Sequence, residues 1–260
     1  MSALLEASGV TVTYGGVHAN EKVDLTVGRG EFVGLIGANG AGKTTFIDAI
    51  TGFTQVGAGS IRFSGEDITG LSPNERARRG LVRTFQSLEL FDDLTVRDNL
   101  LVACERSKWW SLAVEVFRRG RPKDMEEKVD WALGVVGLQD LADSLPEDLP
   151  HGQRKMVGVA RALAASPELV LLDEPAAGLD ASESAELAKE LRSLLDHGLS
   201  VLLIDHDMGL VLSVCDKVYV LDFGRIVAEG TPAEIRNNEA VITAYLGDSG
   251  ADADAGGQPS

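Results

Sequence analysis

Cysteine is almost absent from this 260-residue chain: Cys104 and Cys215 stand far apart, with no paired spacing for a zinc site and no disulfide framework. Both are expected to pack as small apolar side chains in a reducing compartment. Aromatic residues are scarce at 5%, so a base-stacking surface is poorly supplied. Positive charge is in deficit as well, with 24 Lys and Arg against 40 Asp and Glu and a net charge of −16. Broad binding to a phosphate backbone needs the opposite balance, which excludes nucleic-acid packaging or coating, and no nucleic-acid partner is expected. A local anion site is not excluded, because backbone N–H groups supply a positive field there. Long apolar runs are also missing, since no stretch approaches the roughly 20 residues of a membrane-spanning helix. Residues 1–6 carry neither the basic start nor the apolar run of a secretory signal. If the protein works at a membrane, another chain is expected to span it.

What is present is ordinary for a globular protein with a real core: 44% apolar and 25% charged residues. Alternation at Val10, Val12 and Tyr14, then at Val23, Leu25 and Val27, predicts two antiparallel strands. Phe32–Ile36 predicts a short buried strand leading into a glycine-rich loop, a helix over residues 45–51 and a stop at Gly52. A further hairpin is expected over residues 60–63 with its turn at Gly65. Residues 88–165 read as mostly helical, with 126–136 the clearest amphipathic run. Two fully apolar runs, 169–172 and 201–204, flank a helical stretch at 182–195, the pattern of a parallel sheet covered on both faces. Residues 217–221 and 225–228 have strand character, and short helices are expected over 232–236 and 239–246. Residues 248–260 have no apolar anchor and are expected to be a disordered tail. The fold class that follows is α/β: a nucleotide-binding core over 1–87 and 166–247, interrupted by a helical subdomain over 88–165.

The loop Gly37-Ala38-Asn39-Gly40-Ala41-Gly42-Lys43-Thr44 fits G-x-x-x-x-G-K-[ST] and stands between a strand and a helix, as a phosphate-binding loop must. Its glycines let successive N–H groups turn toward a phosphate chain, and the following helix adds its N-terminal dipole. Lys43 is placed to reach the β- and γ-phosphates and the Thr44 hydroxyl to ligate magnesium, with Thr45 completing the ATP cradle. The apolar run 169–172 ends in Asp173 and Glu174. Asp173 at a strand end suits magnesium held through water, and Glu174 suits polarisation of an attacking water for in-line phosphoryl transfer.

These motifs, together with Gln86 in Arg83-Thr84-Phe85-Gln86, Leu149-Pro150-His151-Gly152-Gln153, Ala177-Gly178-Leu179-Asp180 and His206 after an apolar run, resemble the ATP-binding subunits of ATP-binding-cassette (ABC) transporters. The resemblance covers about residues 4–247 and implies a P-loop NTPase core of RecA-like type with an N-terminal antiparallel β subdomain and an inserted helical subdomain. It implies ATP and magnesium as cofactors, Tyr14 stacking on adenine, and Gln86 touching magnesium and the lytic water. It implies His206 at the γ-phosphate. It also implies two subunits facing head to tail, so that Pro150, His151, Gly152, Gln153 and Asp180 of one meet the ATP held by the other.

Pro150 and His151 depart from the commonest signature, Leu-Ser-Gly-Gly-Gln. Proline cannot donate where the serine hydroxyl normally does, so the Gly152 N–H and the helix N-terminus must carry more of that contact. The segment is similar to ATP-binding subunits of the branched-chain amino-acid transporter type. So are residues 67–71, 76–86, 94–100, 206–208, 228–235 and 244–247; Asp205 stands where many relatives carry Glu. That resemblance implies a homo- or heteromeric partner subunit, integral-membrane permeases, an extracytoplasmic solute-binding protein acting indirectly, and a place on the cytoplasmic face of the cell membrane. Urea, short amides or lipid are alternative cargoes, and a soluble ATPase scaffold is the alternative from another class. Two features stay open: Arg76, Arg78, Arg79 and Arg83 form a solvated helix face or meet lipid or permease. Trp109-Trp110 with Arg118, Arg119 and Arg121 suits either a membrane interface or packing under the helical insertion.

Overall fold

The structure is a computed structural model that describes residues 3–84, 90–104, 123–239 and 241. Gln86, the Trp109-Trp110 segment with its arginines, most of the expected 239–246 helix and the tail therefore lie outside the described residues.

Two sheets share one centre. The first is antiparallel, in the order β2 (Val17–Gly28), β1 (Ala3–Tyr14), β4 (Ala58–Phe63), β5 (Glu66–Asp67). Its register pairs Ala7 with Leu25 and with Ile61, so the apolar set of each strand falls on one face. The second has the order β10 (Arg225–Gly230), β9 (Lys217–Asp222), β3 (Phe32–Ile36), β8 (Ser200–Ile204), β7 (Leu169–Asp173), β6 (Leu81–Arg83). Its strands run parallel except for β10, an antiparallel edge. β3, β7 and β8 are buried along their whole length, which their unbroken apolar sequences require.

Side chains alternate across this second sheet and so feed two cores. Val33, Leu35, Leu171, Leu202 and Ile204 join the antiparallel sheet and the helix α1 (Lys43–Thr51) through Phe46, Ile47 and Ile50. Phe32, Ile36, Val170, Leu172, Val201 and Leu203 face the opposite cluster. That cluster also holds the helices α3 (Val96–Cys104), α4 (Lys123–Val135) and α5 (His151–Ala164), built around Leu100, Leu133 and Val157. The chain continues through α6 (Ala181–Ser193), α7 (Met208–Val214) and α8 (Pro232–Arg236). Cys104 and Cys215 are buried and free, and burial pushes both thiols up. Among the described residues no helix is long and apolar enough to cross a membrane.

The three residues of β6 had no strand signal, because Gly80 precedes them and an arginine ends them. Pairing of Leu81 with Leu169 and Arg83 with Leu171 is what makes them a strand. The expected helix after the glycine-rich loop begins at Lys43 and ends at Gly52, whose positive φ of 85° caps it.

The arginine cluster does not form one face. Arg78 and Arg79 are exposed, but Arg76, in α2 (Pro73–Arg78), is among the largest fully buried side chains. Its guanidinium donates to the carbonyls of Ala49 (2.7 Å), Ile50 (2.6 Å), Thr69 (2.7 Å) and Leu71 (3.0 Å). Two of these are orphan carbonyls of the last turn of α1, where a cation also meets the negative end of the helix dipole. Arg76→Met removes the donor from two buried and two part-buried carbonyls and is expected to cost about 3 kcal/mol, while Arg78→Met costs under roughly 0.5. Denaturant unfolding of the two variants side by side checks this; equal midpoints would remove the cap.

Candidate nucleotide site

The parallel sheet ends in a row of loops. β3 stops at Ile36, and residues 37–42 form the loop that enters α1. Gly42 holds φ 102° with no side-chain cap at the helix start, leaving the first N–H groups of α1 free of a competing acid. A Cβ on Gly42 would run into the Ala19 carbonyl, and one on Gly37 into the Leu221 carbonyl. The loop is braced from behind: Asn20 Nδ2 donates to Gly42 O at 3.1 Å and Gly224 N to Ala41 O at 2.8 Å. Lys43 is buried and donates to Gly37 O at 2.7 Å and Ala38 O at 3.0 Å, so its ammonium is held across the mouth of the loop. Burial lowers that ammonium, and Glu174, Asp205 and Asp173 lift it back.

The carboxylates come from the neighbouring strands. Asp173 pairs with Ile204 across β7 and β8, which sets Glu174 beside Asp205 and His206. Glu174 sits at φ 47°, a left-handed conformation costly for a side-chain-bearing residue. Its N–H is fixed by a 2.8 Å bond to Ile204 O. His206 Nδ1 lies 3.4 Å from Asp205 Oδ1 and 3.9 Å from Glu174 Oε1. The start of α7 is capped by Asp207, which accepts from Gly209 N and Leu210 N and so holds the turn carrying His206.

Arg83 is the main correction to the arginine reading. It is neither solvated nor free to meet lipid: its two guanidinium nitrogens bridge Asp48 of α1 and Asp173, each at 2.6 Å. Asp173 Oδ2 is thereby committed, while Oδ1 takes no hydrogen bond from the described residues. The Thr44 side chain is exposed, and its hydroxyl makes no hydrogen bond to the described residues. One carboxylate oxygen and one hydroxyl, both hard donors, suit a magnesium ion that keeps most of its ligands as water and phosphate oxygens. Among the described residues no group of three or more His, Cys, Asp or Glu side chains is arranged to hold a metal ion by itself.

Tyr14 closes β1 with its ring exposed and its hydroxyl 3.0 Å from Thr54 Oγ1. Pro150 is the N-cap of α5, without a side-chain cap; Pro150, His151 and Gln153 are exposed and Gly152 half-buried. No hydrogen bond or ion pair joins them to residues 37–44 of the same chain among the described residues. His151 instead lies near Gly178, in the segment before Asp180. The Asp180 carboxylate caps α6, accepting from Ser182 N (2.8 Å) and Glu183 N (2.9 Å). The site thus gathers Lys43, Thr44, Asp173, Glu174 and His206 on one sheet edge and leaves the 150–153 turn facing outward. Arg83 and Asn20 were missed by the sequence reading; the only signal for Arg83 was its place three residues before Gln86.

A phosphate loop, a strand-end Asp-Glu pair and a following histidine on one edge of a mostly parallel sheet define a P-loop nucleoside-triphosphatase. The family model described as "ABC transporter" matches residues 20–177, and one described as "Branched-chain amino acid ATP-binding cassette transporter" matches residues 225–251. BraF of Pseudomonas aeruginosa, a high-affinity branched-chain amino acid transport ATP-binding protein, is 41% identical over 252 residues, covering 95% of this chain and 98% of its own. LptB of Escherichia coli K12, a lipopolysaccharide export system ATP-binding protein, is 38% identical over 246 residues, with the same coverage of both chains. The ADP conformation of an ATP-binding cassette of an ABC transporter superposes with a TM-score of 0.84 at 30% identity, covering 95% of this chain and all of that one. The chain belongs to the ABC transporter family, as an ATP-binding and ATP-hydrolysing subunit.

Lys43→Ala removes the cation held at the loop mouth and is expected to weaken ATP binding by about 100-fold, roughly 2.8 kcal/mol. Calorimetric titration with ATP checks it; unchanged affinity would sink the assignment of the loop.

Proposed function

We propose that this chain powers an importer of branched-chain amino acids or a similar small polar solute, moved through separate permease subunits. The observation that carries the cargo class is the match of residues 225–251 to the branched-chain model, alongside end-to-end likeness to BraF. The likeness to LptB supports one second reading, the same engine serving a lipid.

In this reading Gly37, Asn39, Gly40, Ala41, Gly42, Lys43, Thr44 and Thr45 bind the phosphates and Tyr14 takes the adenine on its exposed ring. Thr44 and Asp173, with Gln86, would hold a magnesium ion, which would supply charge neutralisation on the phosphate oxygens. Glu174 orients and deprotonates the attacking water, and its left-handed backbone aims the carboxylate out of the strand end. His206 holds the γ-phosphoryl group from the other side of Glu174. The backbone N–H groups at the start of α5 lack a capping side chain and suit the γ-phosphate of a second subunit. Pro150, His151, Gly152, Gln153 and Asp180 would make that contact across a homo- or heterodimer. Closing on two ATP and opening after hydrolysis converts nucleotide state into motion of the permeases. The helices α3, α4 and α5 belong to the region that would meet them, at the cytoplasmic face of the membrane, with a solute-binding protein acting indirectly.

Glu174→Gln keeps shape and hydrogen bonding but removes the base. Phosphate release is expected to fall by about 10²–10⁴-fold while ATP-dependent dimer accumulates on size exclusion; rapid hydrolysis by this variant would take Glu174 out of the role. The cargo is tested by affinity purification of tagged Glu174→Gln protein from its native cells with ATP, followed by mass spectrometry. Two polytopic permeases, a second cassette subunit and an amino-acid-binding protein are expected. Lipid-export components would favour the second reading, and only soluble partners would overturn both.

A further inference from the structure

Among the braces of the phosphate loop, one comes from a buried side chain that the fold alone does not require. Asn20 is fully buried in β2, a strand whose other buried residues are Val23, Leu25 and Val27. It reaches the interior through an irregularity. Val10 pairs with Val23 but Val12 with Asn20, two steps on β1 against three on β2, and Lys22 inside this bulge holds φ 51°. In unbroken alternation position 20 would lie on the opposite face from Val23. The bulge turns the amide inward, where its Nδ2 donates to Gly42 O at 3.1 Å. A carbonyl only accepts, so the amide has one orientation that serves this contact. Its Oδ1 is then buried with no hydrogen-bond partner among the described residues.

A buried acceptor left bare destabilises a fold, and an aliphatic side chain like those at 23, 25 and 27 would avoid that cost. What the amide does provide lies in the loop. Gly42 O accepts from Asn20 Nδ2 and from Phe46 N at 3.0 Å, and the preceding carbonyl, Ala41 O, accepts from Gly224 N at 2.8 Å. Both peptides are trans, so each C=O and its N–H point in opposite directions. Anchoring two successive carbonyls therefore turns the N–H groups of Gly42 and Lys43 away from β2 and the Gly224 turn. Neither N–H has an acceptor among the described residues. The two anchors are also tied to each other, because Glu21 N donates to Gly224 O at 2.8 Å. Gly42 keeps its φ of 102° with the Ala19 carbonyl and Asn20 Nδ2 filling the space that a Cβ would need.

We propose that Asn20 is a positioning residue for nucleotide binding: its amide fixes the Gly42–Lys43 peptide so that two successive N–H groups are preset to meet a phosphate. Asn20 touches no nucleotide and acts only through Gly42 O. With that carbonyl released, the junction of loop and helix gains freedom that binding must then remove, and affinity falls by the ordering cost. The bulge, the buried amide and its bare oxygen are parts of one device, in which some stability of the fold is given up for a preorganised loop. This inference rests on the nucleotide-binding reading for its consequence, but the set of the peptide is open to measurement without nucleotide.

The test uses the full chain as Asn20→Val, an aliphatic residue suited to a strand, and as Asn20→Ala, which removes the amide without adding bulk. Gly42-Lys43 is the one Gly-Lys step in the sequence, so ¹³C′-glycine with ¹⁵N-lysine labelling isolates that peptide as a single correlation signal. In the nucleotide-free chain both variants shift this signal. The unfolding midpoint of Asn20→Val stays at or above that of the wild type, since a bare buried oxygen is gone. ATP affinity by calorimetry nevertheless falls about tenfold in both variants, and in turnover KM rises about tenfold with kcat within about twofold. An unmoved Gly42–Lys43 signal, an ATP Kd within twofold of wild type, or a loss in kcat at constant KM would each overturn the proposal. So would affinity lost only in step with the unfolding midpoint, the mark of a merely structural residue. A wild-type chain that failed to bind ATP would count against the nucleotide reading instead, with the peptide signal still reporting the brace.

Discussion

Three carboxylates crowd one edge of a sheet, and the structure around them is arranged to hold that negative charge in place. Asp173, Glu174 and Asp205 end up together because β7 and β8 run parallel with Asp173 opposite Ile204. Parallel strands deliver their C-terminal ends to the same side, which is where open α/β sheets bind ligands. Like charges so close raise the free energy of the folded state unless cations answer them. Arg83 answers Asp173, and Lys43 stands within reach of all three. The same charge set that would repel in an empty fold is the one that coordinates and activates when phosphates and a divalent ion are present.

The two cores explain why this edge stays rigid. β3, β7 and β8 are buried on both faces, with α1 and the antiparallel sheet on one side and the helical cluster on the other. Close packing lets the interior carry a strained residue such as Glu174 and a buried cation such as Arg76 without local rearrangement. Arg76 also ties α2 to the last turn of α1, so the helix that begins at the phosphate loop is secured at its far end. Arg83 adds a second tie from that helix to β7 through Asp48. Phosphate loop and catalytic strand are therefore joined by sheet pairing below and by a charged bridge above.

Much of this was legible from residues alone where the chemistry is local. The phosphate loop needs glycines at fixed spacing, and an apolar run ending in Asp-Glu reads as a buried strand with a polar tip. Phe32–Ile36 and the two later apolar runs became the central strands. β6 was not legible, because three residues carry no periodicity and its neighbour β7 decides it. The arginines misled for a related reason. Four arginines within eight residues read as a solvated face, yet Arg76 finds carbonyls from a helix 26 residues upstream and Arg83 a carboxylate 90 residues downstream.

The sequence by itself determined the class of protein and the residues that handle phosphate, since those depend on backbone geometry and side-chain type within a few positions. Tertiary structure alone decided which charges are paired, which are buried and which face outward. Burial and pairing depend on partners brought together by sheet register across tens of residues, and no local pattern encodes the distance between Arg83 and Asp173 or the bare oxygen of Asn20.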